Sequence, residues 1–524
     1  MVEQYYPSTT ELIKHQRTMR MVWTSALIAT VVLVFGTIGT FLHFTNVPPM
    51  AAWILGLVAF MVFAVPVLVW HNPRIGFLTM FAAAHLFGGL PGAFYDPVIP
   101  TSLVPFWWNI SIIGQNFHVT ALNGIAISPA ELMMIFTTIV WIIRGITTRD
   151  FKIHKGPFLA SMLIYVAFVT LAFAVGISRG GDKVIALWEV RTQFHLLLVS
   201  MLAGNLITER NHVKSVLTIT IVCASIQALQ ATIKYITLGG VVPDEGFMIH
   251  DDALLINIGI LACVIAIITN SDRKLAVGGW FAIPILLAGT IANQRRGGIG
   301  ALIIGFIPLL PLVGLLFQER RAKVMQFGIA ILLVSAVYFP VAWNANGAWA
   351  LPARALRSQS DPNARDNSSN NYRYTEDFDL KTTRDTSPWI GYGYGRPFLQ
   401  PMPLPMIPFP LKDYLPHNGM MWVWMRTGHF GFLAFLMLLF TVIIRGIQIL
   451  RRVADPVLKT AGMMTVLNMA MLFVYSKYDM QLISPRTVFV CFTYVGVCAA
   501  ISRFGAAPEV EENTASAYPA TSAA

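Results

Sequence analysis

Apolar runs near twenty residues long dominate this 524-residue chain and decide most of what it can fold into. The hydrocarbon core of a bilayer is about 30 Å thick, and about 20 residues of α-helix cross it. Backbone groups in lipid must be bonded internally, so each run is expected to close its own hydrogen bonds as a helix; barrel strands would alternate instead. Fourteen runs qualify, at 22–44, 50–70, 74–94, 125–144, 158–177, 187–207, 213–238, 253–270, 275–292, 297–317, 324–343, 420–443, 458–476 and 483–503. The third is the weakest, because Gly88-Gly89-Leu90-Pro91-Gly92 breaks its end; as a re-entrant piece it leaves thirteen spans. Only 12% of residues are charged, about half the share usual in a soluble domain. The expected fold is all-α: a polytopic integral membrane protein.

The net charge of +11 does not point to nucleic acid, because most basic residues sit in short turns between runs. Lys and Arg collect in cytoplasmic loops. With a cytoplasmic N-terminus, the inside turns carry Arg144, Arg149, Lys152 and Lys155, then Arg210 and Lys214, Arg273 and Lys274, Arg320, Arg321 and Lys323, and Arg445, Arg451, Arg452 and Lys459. Outside stretches 95–124 and 239–252 have no Lys or Arg. The expected organisation is a cytoplasmic segment (1–21), eleven helices (22–343), one large outside loop (344–416), three helices (417–503) and a disordered cytoplasmic tail (504–524). The Asn/Asp/Arg/Ser-rich first half of the loop is expected to be mobile, and its aromatic, Gly/Pro-rich second half to pack. The first apolar run is too long for a signal-peptide core and reads as an uncleaved span. Cys223, Cys263, Cys491 and Cys498 all lie in apolar runs without Cys-x-x-Cys spacing, which suggests packing.

Outward basic residues run against the charge rule, and an anionic substrate would hold them there. Arg191, Arg295, Arg296 and Arg486 are of this kind. Arg191 shares a helix face with His195 by i,i+4 spacing. Asn293-Gln294-Arg295-Arg296-Gly297-Gly298 is a tight turn whose arginine forks match phosphate oxygens, with glycines allowing close approach at a helix N-terminus. His417-Asn418 opens a span directly after the loop, and an imidazole there can act as a general base. The ordinary alternatives are ion pairs, a hydrated turn and an interfacial packing histidine. Gly391, Gly393 and Gly395 lack the Lys-Ser/Thr of a nucleotide loop. Asp251-Asp252 reads as a helix N-terminal acid pair, or as a contact for a cation or sugar. No metal-ligand spacing stands out.

Taken in order, these motifs resemble the O-antigen ligase and polymerase superfamily. His417-Asn418-Gly419, with Gly428 and Gly431, is similar to its His-Asn motif. Arg295-Arg296-Gly297-Gly298 is similar to its Ser-Arg-Gly turn, with Arg296 as the matching arginine. Trp389 to Phe398 resembles its glycine-rich loop segment, Ser128-Pro129-Ala130-Glu131 the start of an early span, and Arg191 a further typical arginine. Two positions depart: Arg426 stands where the family has Glu, and Arg295 where it has Ser. The resemblance implies a GT-C-like, metal-independent glycosyltransferase of the bacterial inner membrane, without a cofactor. It would take undecaprenyl-pyrophosphate-linked oligosaccharide and an acceptor glycan at the periplasmic face. A flippase and a chain-length regulator are the further partners it suggests. His417, Arg191 and Arg296 would be catalytic; Arg295, Asn418, Gly297 and Arg486 would bind substrate. Repeat-unit polymerisation is favoured by the span count, with ligation to lipid A core as the alternative within the family. Transport of an anion or glycan is the alternative outside it, although paired Gly/Pro-broken spans in matching halves are not seen.

Overall fold

The computed structural model describes residues 66–88, 104–116, 120, 124–149, 151–241, 248–345, 347–362, 364–406, 409 and 411–505. Among these the helices are α1 (Pro73–Leu86), α2 (Ile110–Asn116), α3 (Pro129–Thr147), α4 (Leu159–Ser178), α5 (Lys183–Leu206), α6 (Arg210–Thr237), α7 (His250–Thr269) and α8 (Arg273–Asn293). They continue with α9 (Arg296–Leu316), α10 (Arg321–Ala342), α11 (Leu351–Ser360), α12 (Ala364–Asp385), α13 (Gly419–Arg452), α14 (Pro456–Tyr475) and α15 (Pro485–Phe504). No strand occurs among the described residues. Eleven helices there are long and apolar enough to cross a membrane: α3 to α10 and α13 to α15. They coincide with the last eleven expected runs. The run at 22–44 and most of that at 50–70 lie outside the described residues, as do 1–21 and the tail from 506.

One expectation is corrected and one alternative gains support. Of the run at 74–94, the described part is a helix of 14 residues, about 21 Å long at 1.5 Å per residue, too short to span by itself and in keeping with the re-entrant alternative. Within 344–416, the polar half is helical: α11 and the 22-residue α12. The inward face of α12 carries Tyr372, Glu376, Asp379 and Thr383, at helical spacing but largely polar. A hydrophobic pattern therefore gave no warning of it.

Helix starts follow local chemistry. Asp182, Asp272 and Asp455 each accept two backbone N–H groups at the starts of α5, α8 and α14. Ser128 and Glu131 form a reciprocal capping box at α3. In lipid, helix association relies on close backbone approach through small residues. Gly496 of α15 sits against Ser200, Ala203 and Gly204 of α5, and Ser200 Oγ donates to Phe492 O at 3.0 Å. Gly259 of α7 packs on Ala224 of α6. Nearly all of α7, α14 and α15 is buried, whereas α10 leaves most of its apolar surface open, as a lipid-facing helix does. All four cysteines are buried and unpaired.

The basic turns gather at one end. Arg210 pairs with Asp455 at 2.7 Å, Lys214 with Asp272 at 2.6 Å, and Lys459 Nζ donates to Leu316 O at 2.8 Å. The segment between α10 and α13 lies at the other end.

There α13 is broken at Gly428, whose φ of 69° and ψ of −173° are non-helical. A break strands backbone groups, and an adjacent chain supplies the partners. Tyr392 N donates to Met425 O at 2.8 Å, Gly393 N to Arg426 O at 3.1 Å, and His429 N to Pro388 O at 2.7 Å. The same strip reaches α4, where Tyr394 N donates to Ala172 O at 3.3 Å. A Cβ on Gly393 would collide with the backbone of Gly176, and its φ of +89° suits glycine. Gly393→Ala is expected to lower stability by at least about 1 kcal/mol, seen as a reduced thermal midpoint of the detergent-purified protein. An unchanged midpoint would show that the strip is not tightly docked.

Candidate functional site

Helix α12 crosses the end of the bundle and joins expected site residues from separate parts of the sequence. Arg296, the first residue of α9, places Nη1 3.2 Å from Asp366 Oδ1. His417 makes two contacts with the buried Glu376: its backbone N–H donates to Oε2 at 2.9 Å, and Nδ1 lies 3.1 Å from Oε1. Asn418 caps α13 through Met421 N at 3.0 Å, and its Nδ2 donates to Asp377 at 2.9 Å. The edge of the His417 ring meets Tyr372, with centroids 5.3 Å apart. Burial, then the nearby Glu376 and Asp413, push the Tyr372 phenol well above its usual range. Tyr372 therefore keeps its proton.

Behind His417 lies a second polar group. His250 Nδ1 is 3.6 Å from Asp479 Oδ2, and Ser484 Oγ donates to Asp251 at 2.5 Å. Gly419, two residues after His417, packs against the backbone of Asp479, so the start of α13 and His250 meet at the same acid. Arg295 donates to Met248 O at 2.9 Å. Arg295 thus lies beside the residues that lead into His250, while Arg296 and His417 each reach α12. Gly297 does provide close approach, but to protein: a Cβ there would stand 2.6 Å from the Tyr475 ring.

The structure does not bring Arg191 to this group, whereas Arg486 reaches its edge through Asp252, next to Asp251. Arg191 donates to Asn109 at 2.8 Å, lies 3.7 Å from Glu131, and covers the Trp188 ring at 4.6 Å. His195, on the same face of α5, lies 3.2 Å from the same Glu131. Arg486 is fully buried, 2.8 Å from Asp252, and donates to the carbonyls of Ala84 and His85. Its donors face protein groups in the interior. Asp252 also accepts from Ile249 N at 3.2 Å, which fits the helix-terminal reading of that acid. A cavity of about 400 Å³ lies at the opposite, basic end, beside Arg74, Arg144 and Thr208.

Sequence reasoning missed Glu376, Tyr372, Asp366 and Asp479. None sits in a motif, and Glu376 is 41 positions from His417. Only the density of acids in 361–385 offered a signal.

Arg426 proves to be structural. It is fully buried, 2.7 Å from Glu189 on α5, and donates to the carbonyls of Gly393, Arg396 and Tyr414. Glu189 in turn accepts from Gly395 N at 2.6 Å and Trp422 Nε1 at 3.1 Å. The pair fastens the glycine-rich strip to two helices.

Residues 259–436 match the family model described as O-antigen ligase. The match covers about a third of the chain and agrees with the resemblance that its motifs show. The matched segment contains Arg295, Arg296, Gly391 to Gly395, His417 and Arg426, and leaves out Arg191 and Arg486. No curated protein matches the chain. Among the described residues, no group of three or more His, Cys, Asp or Glu could hold a metal ion.

Removing one partner of a buried ion pair costs about 3–5 kcal/mol, because the other charge is left uncompensated. Arg426→Glu, which installs the family's residue, should therefore cost at least that here and greatly reduce the folded yield. Glu189→Arg combined with Arg426→Glu should recover part of it. A wild-type thermal midpoint for Arg426→Glu alone would refute the structural role.

Proposed function

We propose that this member of the O-antigen ligase and polymerase superfamily transfers a glycan from a lipid pyrophosphate to an acceptor hydroxyl at the periplasmic face, joining repeat units into a polymer. The observation that supports this reading is that one helix, α12, holds both Arg296, through Asp366, and His417, through Glu376, at the end of the bundle away from the basic turns. The positive-inside rule makes that end extracytoplasmic.

Leaving-group charge grows as the bond from the anomeric carbon to the pyrophosphate breaks. Arg296, with Arg295 beside it, supplies cations where that charge develops. His417 takes the proton of the acceptor hydroxyl as its oxygen attacks. Asn418, by capping α13, fixes the approach of the acceptor. Arg191 provides a further guanidinium on α5, in its own setting with Glu131. Arg486 has no part in this scheme. The arginines would do this work without a metal, which completes the scheme as a metal-independent transfer.

A second reading, attachment of finished chains to lipid A core, has the description of the matching family on its side. Polysaccharide profiles of a deletion strain carrying His417→Ala or Arg296→Ala separate the two. Single repeat units accumulating on their acceptor indicate a polymerase; long chains left unattached indicate a ligase. His417→Ala should lower transfer about 10²–10⁴-fold, and Arg296→Ala about 10²–10³-fold, at normal membrane levels of protein. Wild-type glycan from both variants would overturn the catalytic reading.

A further inference from the structure

We propose that Glu376 is a positioning residue that fixes the tautomer and orientation of His417; this rests on the reading of His417 as the general base. A neutral imidazole has one N–H and one lone pair, and only the nitrogen carrying the lone pair can take a proton. Which nitrogen that is depends on what the other one meets. Here Nδ1 faces Glu376 Oε1 at 3.1 Å, while Oε2 of the same carboxylate accepts the His417 backbone N–H at 2.9 Å. A carboxylate can only accept, so Nδ1 must donate. The lone pair is thereby held on Nε2. Tyr372, one helical turn before Glu376, closes one side of the ring. The Glu376 side chain is 2% exposed and that of His417 27% exposed. The holder is thus inside and the working edge can be reached.

In the transfer step, the acceptor oxygen forms its bond to the anomeric carbon as the carbon–oxygen bond to pyrophosphate breaks. That electron pair leaves with the lipid pyrophosphate, and the acceptor proton goes to Nε2. The Nδ1 proton stays between His417 and Glu376 throughout.

Glu376→Gln is the informative change. An amide has one acceptor oxygen and one NH₂ group, so it cannot accept the backbone N–H and Nδ1–H on two separate atoms as the carboxylate does. Either the backbone contact is lost, or the ring turns to the Nε2–H tautomer and has no lone pair at its working edge. Glu376→Asp keeps a group that accepts twice.

The test uses full-length protein in proteoliposomes, with undecaprenyl-pyrophosphate-linked glycan extracted from a strain lacking this protein as donor. If His417→Ala transfers glycan at the wild-type rate, the general-base reading fails, whatever Glu376 does. With His417→Ala inactive, Glu376→Gln should lower kcat about 10²-fold or more, within the range of general-base contributions. The KM should stay close to wild type, and Glu376→Asp should recover at least tenfold, roughly one order of that range. An inactive His417→Ala beside a fully active Glu376→Gln would overturn the positioning role alone. Histidine ¹⁵N spectra give a readout independent of turnover. With the His417 signal assigned by its loss in His417→Ala, the wild type should show the Nδ1–H tautomer and Glu376→Gln a shift away from it. An Nε2–H tautomer in the wild type would overturn the proposal even if Glu376→Gln folds poorly.

Discussion

The buried pair between Glu189 and Arg426 holds this end of the molecule together. Two opposite charges removed from water are tolerated only where further hydrogen bonds satisfy what remains of each. Here Gly395 and Trp422 complete the acid, and three carbonyls receive the guanidinium. The pair links α5, α13 and the glycine-rich strip. The first turn of α13, which carries Asn418 and is preceded by His417, takes its place from that junction.

From the junction, the fold reaches the chemistry through α12. That helix presents acids where a buried face would normally be apolar. Asp366, Glu376 and Asp377 meet Arg296, His417 and Asn418 in turn. One element therefore sets the spacing between a cation that can neutralise a leaving group and an imidazole that can take a proton. The cations begin α9, whose glycines let Tyr475 and Ala253 come close, and this places the arginine turn against His250 and its acids.

Much of this was legible in the sequence. Eleven apolar runs became eleven spanning helices, because lipid leaves the backbone no alternative. The basic turns gathered at one end, as their charge requires. Arg296 and His417 were both singled out by their motifs, and each contacts α12. What was not legible depended on partners distant along the chain. Glu189 and Arg191 are two residues apart, yet one fastens a loop and the other joins Glu131, because i,i+2 positions face different neighbours. Arg486 looked like an outward cation, but its depth depended on the ends of α1 and α7. Helix α12 was taken for mobile chain because its packing face is polar. Arg426 read as a departure near the chemistry, whereas its partner was already present on α5.

The break in α13 has a mechanical consequence. The chain that follows α12 is bonded to α13 at 425–430, and thirty residues later it re-enters α13 through Asn418. Both ends of that ring of chain are fastened to the same helix, and α12 departs from one of them after only three residues, Thr386 to Pro388. If α13 tilts as a rigid body, it carries the imidazole and the anchor of the imidazole's partner together. The distance between His417 and Glu376 is thus insulated from such motion, whereas Arg296, on α9, follows through its contact with Asp366.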